Sequence, residues 1–275
     1  MEYSKEFKNL LNVDLPDGYI GHGNPNAKIL ILGQEPALHK DSEQYSLEIA
    51  NNKHQWQILV ENGSGYESIN PAVISFGSPL WPWANQTFMV RSEMKNEKGE
   101  IIKTKGAAGT AKTWYNYQKL IDRILNKETI HGGILDFHKL SFHTDMSAEA
   151  SKRHNKVELS NAKESVKNRA EKLFSLPFFR NFPIVIAPVG HFPRDIYGDT
   201  YFHDSFDINY CPNYCSNDIK DWININLREG EEQPQILIHC KQTAYVSDSY
   251  LDKIAEIAST FVKEHGIQLI PEANI

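Results

Sequence analysis

Four short apolar runs punctuate the chain: KILIL at 28–32, GILDF at 133–137, PIVIAPV at 183–189 and QILIH at 235–239. Their length and β-branched content predict strands buried on both faces, as in a parallel sheet. Elsewhere the apolar period lengthens to that of a helix. In TWYNYQKLIDRILN (113–126), Tyr117, Leu120, Ile121 and Ile124 share one face. In LSNAKESVKNRAEKLF (159–174), Ala162, Val166, Ala170 and Leu173 form a stripe behind a Ser or Asn cap. The segment 247–266 has acidic residues in its first turn and Gly266 at its end, the polarity that a helix dipole and C-terminal stop favour.

Strands separated by helical connections make an α/β pattern. The expected fold is a small four-stranded parallel sheet flanked by helices, in a single domain over 1–275. Ligands of such sheets bind beyond the strands' carboxyl ends, which predicts one rim formed by 33–39, 138–145, 190–195 and 239–246. Residues 50–110 fit no strand–helix unit. Their Gly, Pro and Trp content and a predicted hairpin at KNEKGE (95–100) read as an elaborated insertion near that rim. The chain carries no internal repeat or low-complexity tract.

Composition narrows the picture. The 275 residues are 40% apolar and 23% charged, enough for one sizeable core. No segment approaches the roughly 18 consecutive apolar residues of a membrane span, so a soluble, cytoplasmic protein is expected. The net charge of -6 gives no overall attraction to nucleic acid, and any such contact has to be local. The Lys- and Arg-containing stretches 91–112 and 151–172 interleave acids and read as solvated loops and faces. Three cysteines, Cys211, Cys215 and Cys240, are too few for a disulfide scaffold. With His203 they match no common zinc spacing, so reduced thiols and no metal or cofactor are expected.

Polar groups converge on the expected rim: Gln34, Glu35 and His39 after the first run, His138 and His143 after the second, His191 and Arg194 after the third, and His239 ending the fourth. A carboxylate opposite an imidazole is a minimal hydrolytic pair. The acid places a water or stabilises a cationic transition state, and the imidazole donates to an anionic leaving group.

The stretch GHGNPNAKILILGQEPA (21–37) resembles the first motif of the uracil-DNA glycosylase superfamily, in which a GN-x-x-A lead-in, an apolar strand and a Gly-x-x-Pro turn recur. LIHCKQTA (237–244) resembles its second motif, a strand ending in His. The resemblance covers roughly 20–40, 113–145 and 183–262. It implies a DNA glycosylase-like hydrolase of an N-glycosidic bond to uracil or another nucleobase, acting in base excision, with DNA or a nucleobase-containing ligand as partner. Glu35 falls where the Gly-Gln-Asp-Pro branch has the acid that helps water attack the sugar, and His239 falls where the superfamily stabilises the departing base. Gly33, Gln34, Pro36, His39, Phe76, His138, Lys241 and Gln242 are the implied substrate contacts, with Phe76, Trp81 and Trp83 as aromatics available to stack or to pack the insertion.

The departures shape the expectation. Glu35 is one methylene longer than Asp. The base-reading Asn at the end of strand two has no counterpart, with Asp136 or His138 nearby. After His239, the residues Lys241, Gln242 and Tyr245 replace a Leu-bearing wedge loop. A missing wedge favours single-stranded DNA, whose bases are already unstacked. Two alternatives stand beside the enzyme: a non-catalytic nucleic-acid or nucleotide binder on the same fold, and a hydrolase of free nucleosides.

Overall fold

The computed structural model describes residues 2–15, 17–38, 40–64, 112–130, 135–150, 159–212, 221–230 and 233–270, together with Leu80, Lys98 and Gly133. Seven strands are present among them: His22–Gly23 (β1), Ile29–Gly33 (β2), Ser141–Asp145 (β3), Ile184–Ala187 (β4), Asn209–Tyr210 (β5), Ile223–Arg228 (β6) and Gln235–Cys240 (β7). They form one mixed sheet in the order β1-β3-β2-β4-β7-β6-β5. The ladders β3–β2, β2–β4 and β4–β7 are parallel, whereas β1 on one edge and β6 and β5 on the other pair antiparallel. The sheet is therefore larger and more mixed than the four-stranded parallel one expected.

The helices are Lys5–Leu10 (α1), Glu43–Tyr45 (α2), Asn52–Glu61 (α3), Lys112–Ile124 (α4), Leu159–Arg169 (α5), Pro177–Arg180 (α6), Phe192–Ile196 (α7), Tyr201–Phe206 (α8) and Asp248–Glu264 (α9). Side chains alternate faces along each central strand, so the apolar runs feed two layers at once. Ile29, Ile31, Ile184, Ile186, Ile236 and Ile238 pack against Leu120, Ile121, Ile124, Leu251, Ile254 and Ala258 of α4 and α9. Leu30, Leu32, Val185, Ala187 and Leu237 face the opposite layer with Phe7, Trp56, Phe142, Phe174, Phe178 and Phe206. Truncating one of these buried Leu or Ile side chains to Ala would cost about 2–5 kcal/mol.

Helix ends follow local chemistry. Ser247 caps α9 by accepting from the Tyr250 amide (3.3 Å), with Asp248 in the first turn. Gly266, at φ 61°, lies just past its end. Lys119 and Arg123 on α4 pair with Asp248 and Asp252 on α9, at 2.7 Å and 2.5 Å for the shortest contacts.

Two expectations are corrected. The second strand is not GILDF: Phe137–Lys139 is a 3-10 turn, and the strand begins at Ser141. Phe137 and His138 accordingly lie at the amino end of β3, with the amide of Asn24 bonded to the His138 carbonyl. Apolar content favoured the wrong segment because Ser141, His143, Thr144 and Asp145 break the run, yet the first three are buried. The unmatched region 195–233 contains β5 and β6, where Ile223 and Ile225 are buried and add to the layer under α9. The KNEKGE hairpin lies outside the described residues, Lys98 excepted.

Candidate active site

The topology creates a crevice. From β2 the chain passes to β3 on one side, then crosses to β4 on the other, so strand order reverses at β2. A cavity of about 610 Å³ opens there, lined from β2 by Gly33 to Leu38, from β3 by His143 to Asp145, from β4 by Pro188 and from beyond β7 by Gln242 to Ala244. Tyr19, His22, Glu48, Trp114 and Tyr117 complete much of the wall. The volume lies within the range of small-molecule sites.

The turn after β2 is anchored to its neighbours. The amides of Met146 and Ser147 bond to the carbonyls of Gly33 (2.8 Å) and Gln34 (3.0 Å), continuing the parallel ladder past the strand ends. Gln34 donates from Nε2 to the Val189 carbonyl (2.6 Å), tying the rims of β2 and β4 together. Pro36 is buried, and half-buried Glu35 lies on the cavity wall. Gly33 leaves room for the neighbouring carboxylate: a Cβ there would lie 2.0 Å from Asp145 Oδ1, so either the carboxylate or the strand would have to shift.

Asp145 ends β3 at the centre of a buried polar network. The Tyr19 hydroxyl donates to Asp145 Oδ2 (3.0 Å) and lies 3.4 Å from His22 Nδ1. Arg169, 2% exposed, stacks 4.8 Å from the centre of the Tyr19 ring. Its guanidinium donates to the carbonyls of Asp145 (2.9 Å) and Tyr19 (2.6 Å), to Thr144 Oγ1 (2.7 Å) and to Asp17 (3.1 Å). Burial pushes the Asp145 carboxyl up to about 6, against the opposing pull of Tyr19 and Arg169.

Glu48 enters through a π-turn, Ser46–Ala50, that follows α2; such turns often mark functional positions. Gln44 donates to Glu48 Oε1 (3.0 Å), and burial pushes the carboxyl up to about 7. The two histidines in the wall are held neutral. His22, whose Nε2 donates to the Glu48 carbonyl (3.2 Å), is pushed down to about 4 by burial. His143 lies well below its usual value for the same reason. Ser141 donates to the Phe137 carbonyl (2.7 Å), so His143 Nε2 is the donor in its 2.9 Å contact with Ser141 Oγ. Asn52 fixes the approach segment, accepting from the amides of Ile20 (3.0 Å) and Gly21 (3.1 Å) and donating to the Gly21 carbonyl (3.0 Å).

Of the residues singled out from sequence, Gly33, Gln34, Glu35, Pro36, His143 and Gln242 line this cavity together. His239 is not among the described residues that line it. Its Nε2 donates to the Gly190 carbonyl (2.6 Å), its ring packs 4.9 Å from those of Phe202 and Trp222, and burial pushes it down to about 4. Lys241 also points elsewhere, 3.5 Å from Asp221 and 5.5 Å from the Tyr250 ring centre. His138, 1% exposed at the amino end of β3, is pushed down to about 2 by burial and is corrected from a rim residue to a core one. Asp136, the other candidate reader, accepts from Gln118 Nε2 (2.8 Å) ahead of that strand. His39, Phe76, Trp81, Trp83 and Cys215 lie outside the described residues, as does the side chain of Tyr245.

Sequence reasoning missed Tyr19, His22, Glu48, Tyr117, Asp145 and Arg169. A usable signal was the polar SFHTD segment itself, since a strand carrying Ser, His, Thr and Asp beside an apolar partner has to place them against something polar. Among the described residues, no helix is long and apolar enough to cross a membrane, and no group of three or more His, Cys, Asp or Glu is arranged to hold a metal ion. No protein-family model matches the chain, and no curated protein is significantly similar to it.

Proposed function

We propose that the chain hydrolyses an N-glycosidic bond in this cavity, with Glu35 as the catalytic carboxylate and a nucleobase as the departing group. The observation that carries the reading is the convergence of Gly33, Gln34, Glu35 and Pro36 with Asp145 and Gln242 on one cavity at the crevice where strand order reverses. That crevice, with the order β3-β2-β4-β7 in its parallel part, also supports the uracil-DNA glycosylase-like reading of the two motifs.

In this reading Tyr19, Trp114 and Tyr117 offer aromatic surface to a planar ring, and Asp145 stands at the end of the second parallel strand, where the resemblance implies a base reader. Glu35 orients water and stabilises positive charge growing on the sugar as the C1′–N bond lengthens. His239, bonded to Gly190, holds the rims of β4 and β7 together rather than serving the leaving base. A single-stranded DNA substrate follows from the missing wedge.

The test is base release from nucleobase-containing single strands by wild type and Glu35→Gln. Wild-type release that falls with the variant at unchanged affinity supports the proposal, and absence of release from any base overturns it. The engagement of His239 favours a second reading, a binder on the same fold, in which Glu35→Gln would change affinity instead of rate.

A further inference from the structure

Resting on the hydrolytic reading above, we propose that Glu48 is the general acid of this site: its Oε2–H protonates the departing base, while Glu35 serves the attacking water. Glu48 lines the cavity from the π-turn Ser46–Ala50 and is 4% exposed. Its two oxygens are not equivalent. Gln44 Nε2 donates to Oε1 (3.0 Å), so Oε1 is the acceptor and the proton of the neutral acid belongs on Oε2. Oε2 has no hydrogen-bond partner among the described residues and is not sealed in protein, so it opens on the cavity. Burial holds the carboxyl protonated up to about 7. Other proton carriers near the rim are engaged: the Tyr19 hydroxyl donates to Asp145, His143 Nε2 to Ser141 and His239 Nε2 to Gly190. Asp145 is the other raised carboxyl, but Tyr19 and Arg169 both favour its ionised form, whereas Gln44 alone does so for Glu48.

The step balances. As the C1′–N bond breaks, the bonding pair passes to the base and the Oε2 proton to a ring nitrogen or carbonyl oxygen of that base, which leaves neutral. Glu48 is left as a carboxylate. Water adds to C1′ and gives its proton to Glu35, which releases it to solvent, and solvent reprotonates Glu48. Lining the cavity with Glu48 are Tyr19 and His22 from the segment through β1, Glu35 from the turn after β2, and His143 and Asp145 from β3. The two histidines are neutral, so neither adds a positive charge that would ionise Glu48. On the helices that flank the π-turn, Tyr45 of α2 lies near Lys40 and Glu149, which pair with each other, and Lys53 of α3 is bonded to the Val13 carbonyl.

The test is single-turnover base release by wild type and Glu48→Gln at about pH 6, where Glu48 is protonated. Two pairs of single strands are compared, carrying uracil or 5-fluorouracil, and adenine or 2-fluoroadenine. Gln keeps an acceptor for Gln44 but has no proton to transfer. The fluorinated base is the better leaving group and depends less on protonation. In a pair that reacts, the variant should therefore slow the ordinary base, by about 10²-fold, at least about tenfold more than its fluorinated partner. A smaller difference between the partners overturns the inference, and base release by wild type then leaves the hydrolytic reading intact. No release of any base by wild type overturns that reading and this inference with it. The pH profile of wild type is the second measurement, and it decides if the variant does not fold. The acid form is lost as pH rises through about 7, so release should fall by about tenfold per pH unit above it. A flat profile between about pH 6 and 8 overturns the assignment to Glu48, and so does a fall that Glu48→Gln retains.

Discussion

Gly33→Ala probes the contact that shapes the cavity floor. Gly33 is paired with Asp145 across the parallel ladder, and an added methyl would sit 2.0 Å from Asp145 Oδ1, well inside van der Waals contact. No positive φ is involved at Gly33, so the penalty is steric. Either the β2–β3 ladder opens or the Asp145 carboxylate swings away from Tyr19. The first is overpacking, worth about 1–3 kcal/mol. The second gives up a hydrogen bond to a charged group, worth about 1.5–3 kcal/mol. A net loss of about 2–3 kcal/mol follows, because relief of one cost incurs the other. Urea unfolding measures it directly. The double-mutant cycle sharpens the result: Asp145→Ala removes the clashing oxygen, so Gly33→Ala should cost at least about 1 kcal/mol less in that background than in wild type. A Gly33→Ala protein within about 0.5 kcal/mol of wild type, or additive costs in the cycle, would refute the packing argument.

The remaining predictions concern charge. Glu48 has its folded pKa raised to about 7 by burial, so its ionised form opposes folding; stability from this group is present below its unfolded pKa and is lost as pH rises through about 7. Glu48→Gln should therefore be more stable than wild type by about 3 kcal/mol at pH 8, the advantage shrinking as pH falls from about 7 toward 4.3, and a pH-independent difference in urea unfolding contradicts this. His239→Gln, which retains a donor for Gly190, should change turnover by less than about threefold while lowering the unfolding midpoint modestly; a loss of about 10²-fold would return His239 to the chemistry. Glu35→Gln should lower turnover by about 10²-fold or more with Kd within about twofold, as checked by single-turnover kinetics and calorimetry.

The apolar runs at 28–32, 183–189 and 235–239 announced three of the central strands because burial on both faces leaves a continuous signature, and 113–126, 159–174 and 247–266 became helices α4, α5 with its π-turn, and α9. Periodicity failed at β3. GILDF has the apolar content of a strand, but SFHTD has the position, and its polar residues are compensated by partners far along the chain: Tyr19 and Arg169 for Asp145, Arg169 for Thr144. The same is true of the site. Gly33, Gln34, Glu35 and Pro36 were legible because they follow one recognisable strand, whereas Glu48 and His22 reach the cavity through a π-turn and a two-residue edge strand that no local pattern marks. His239 was misleading in the opposite sense: its place at the end of β7 suggested a rim donor, but the loop carrying Gly190 comes close enough to take its hydrogen bond.

The central claim, that Glu35 is a catalytic carboxylate in a base-holding cavity, is tested most directly by single-turnover release of base from single strands carrying uracil or another nucleobase, run in parallel with wild type and Glu35→Gln. The account predicts abasic product from wild type and a rate lower by about 10²-fold or more in the variant, with strand affinity preserved. No product from wild type on any base, or equal rates from the two proteins, would contradict it.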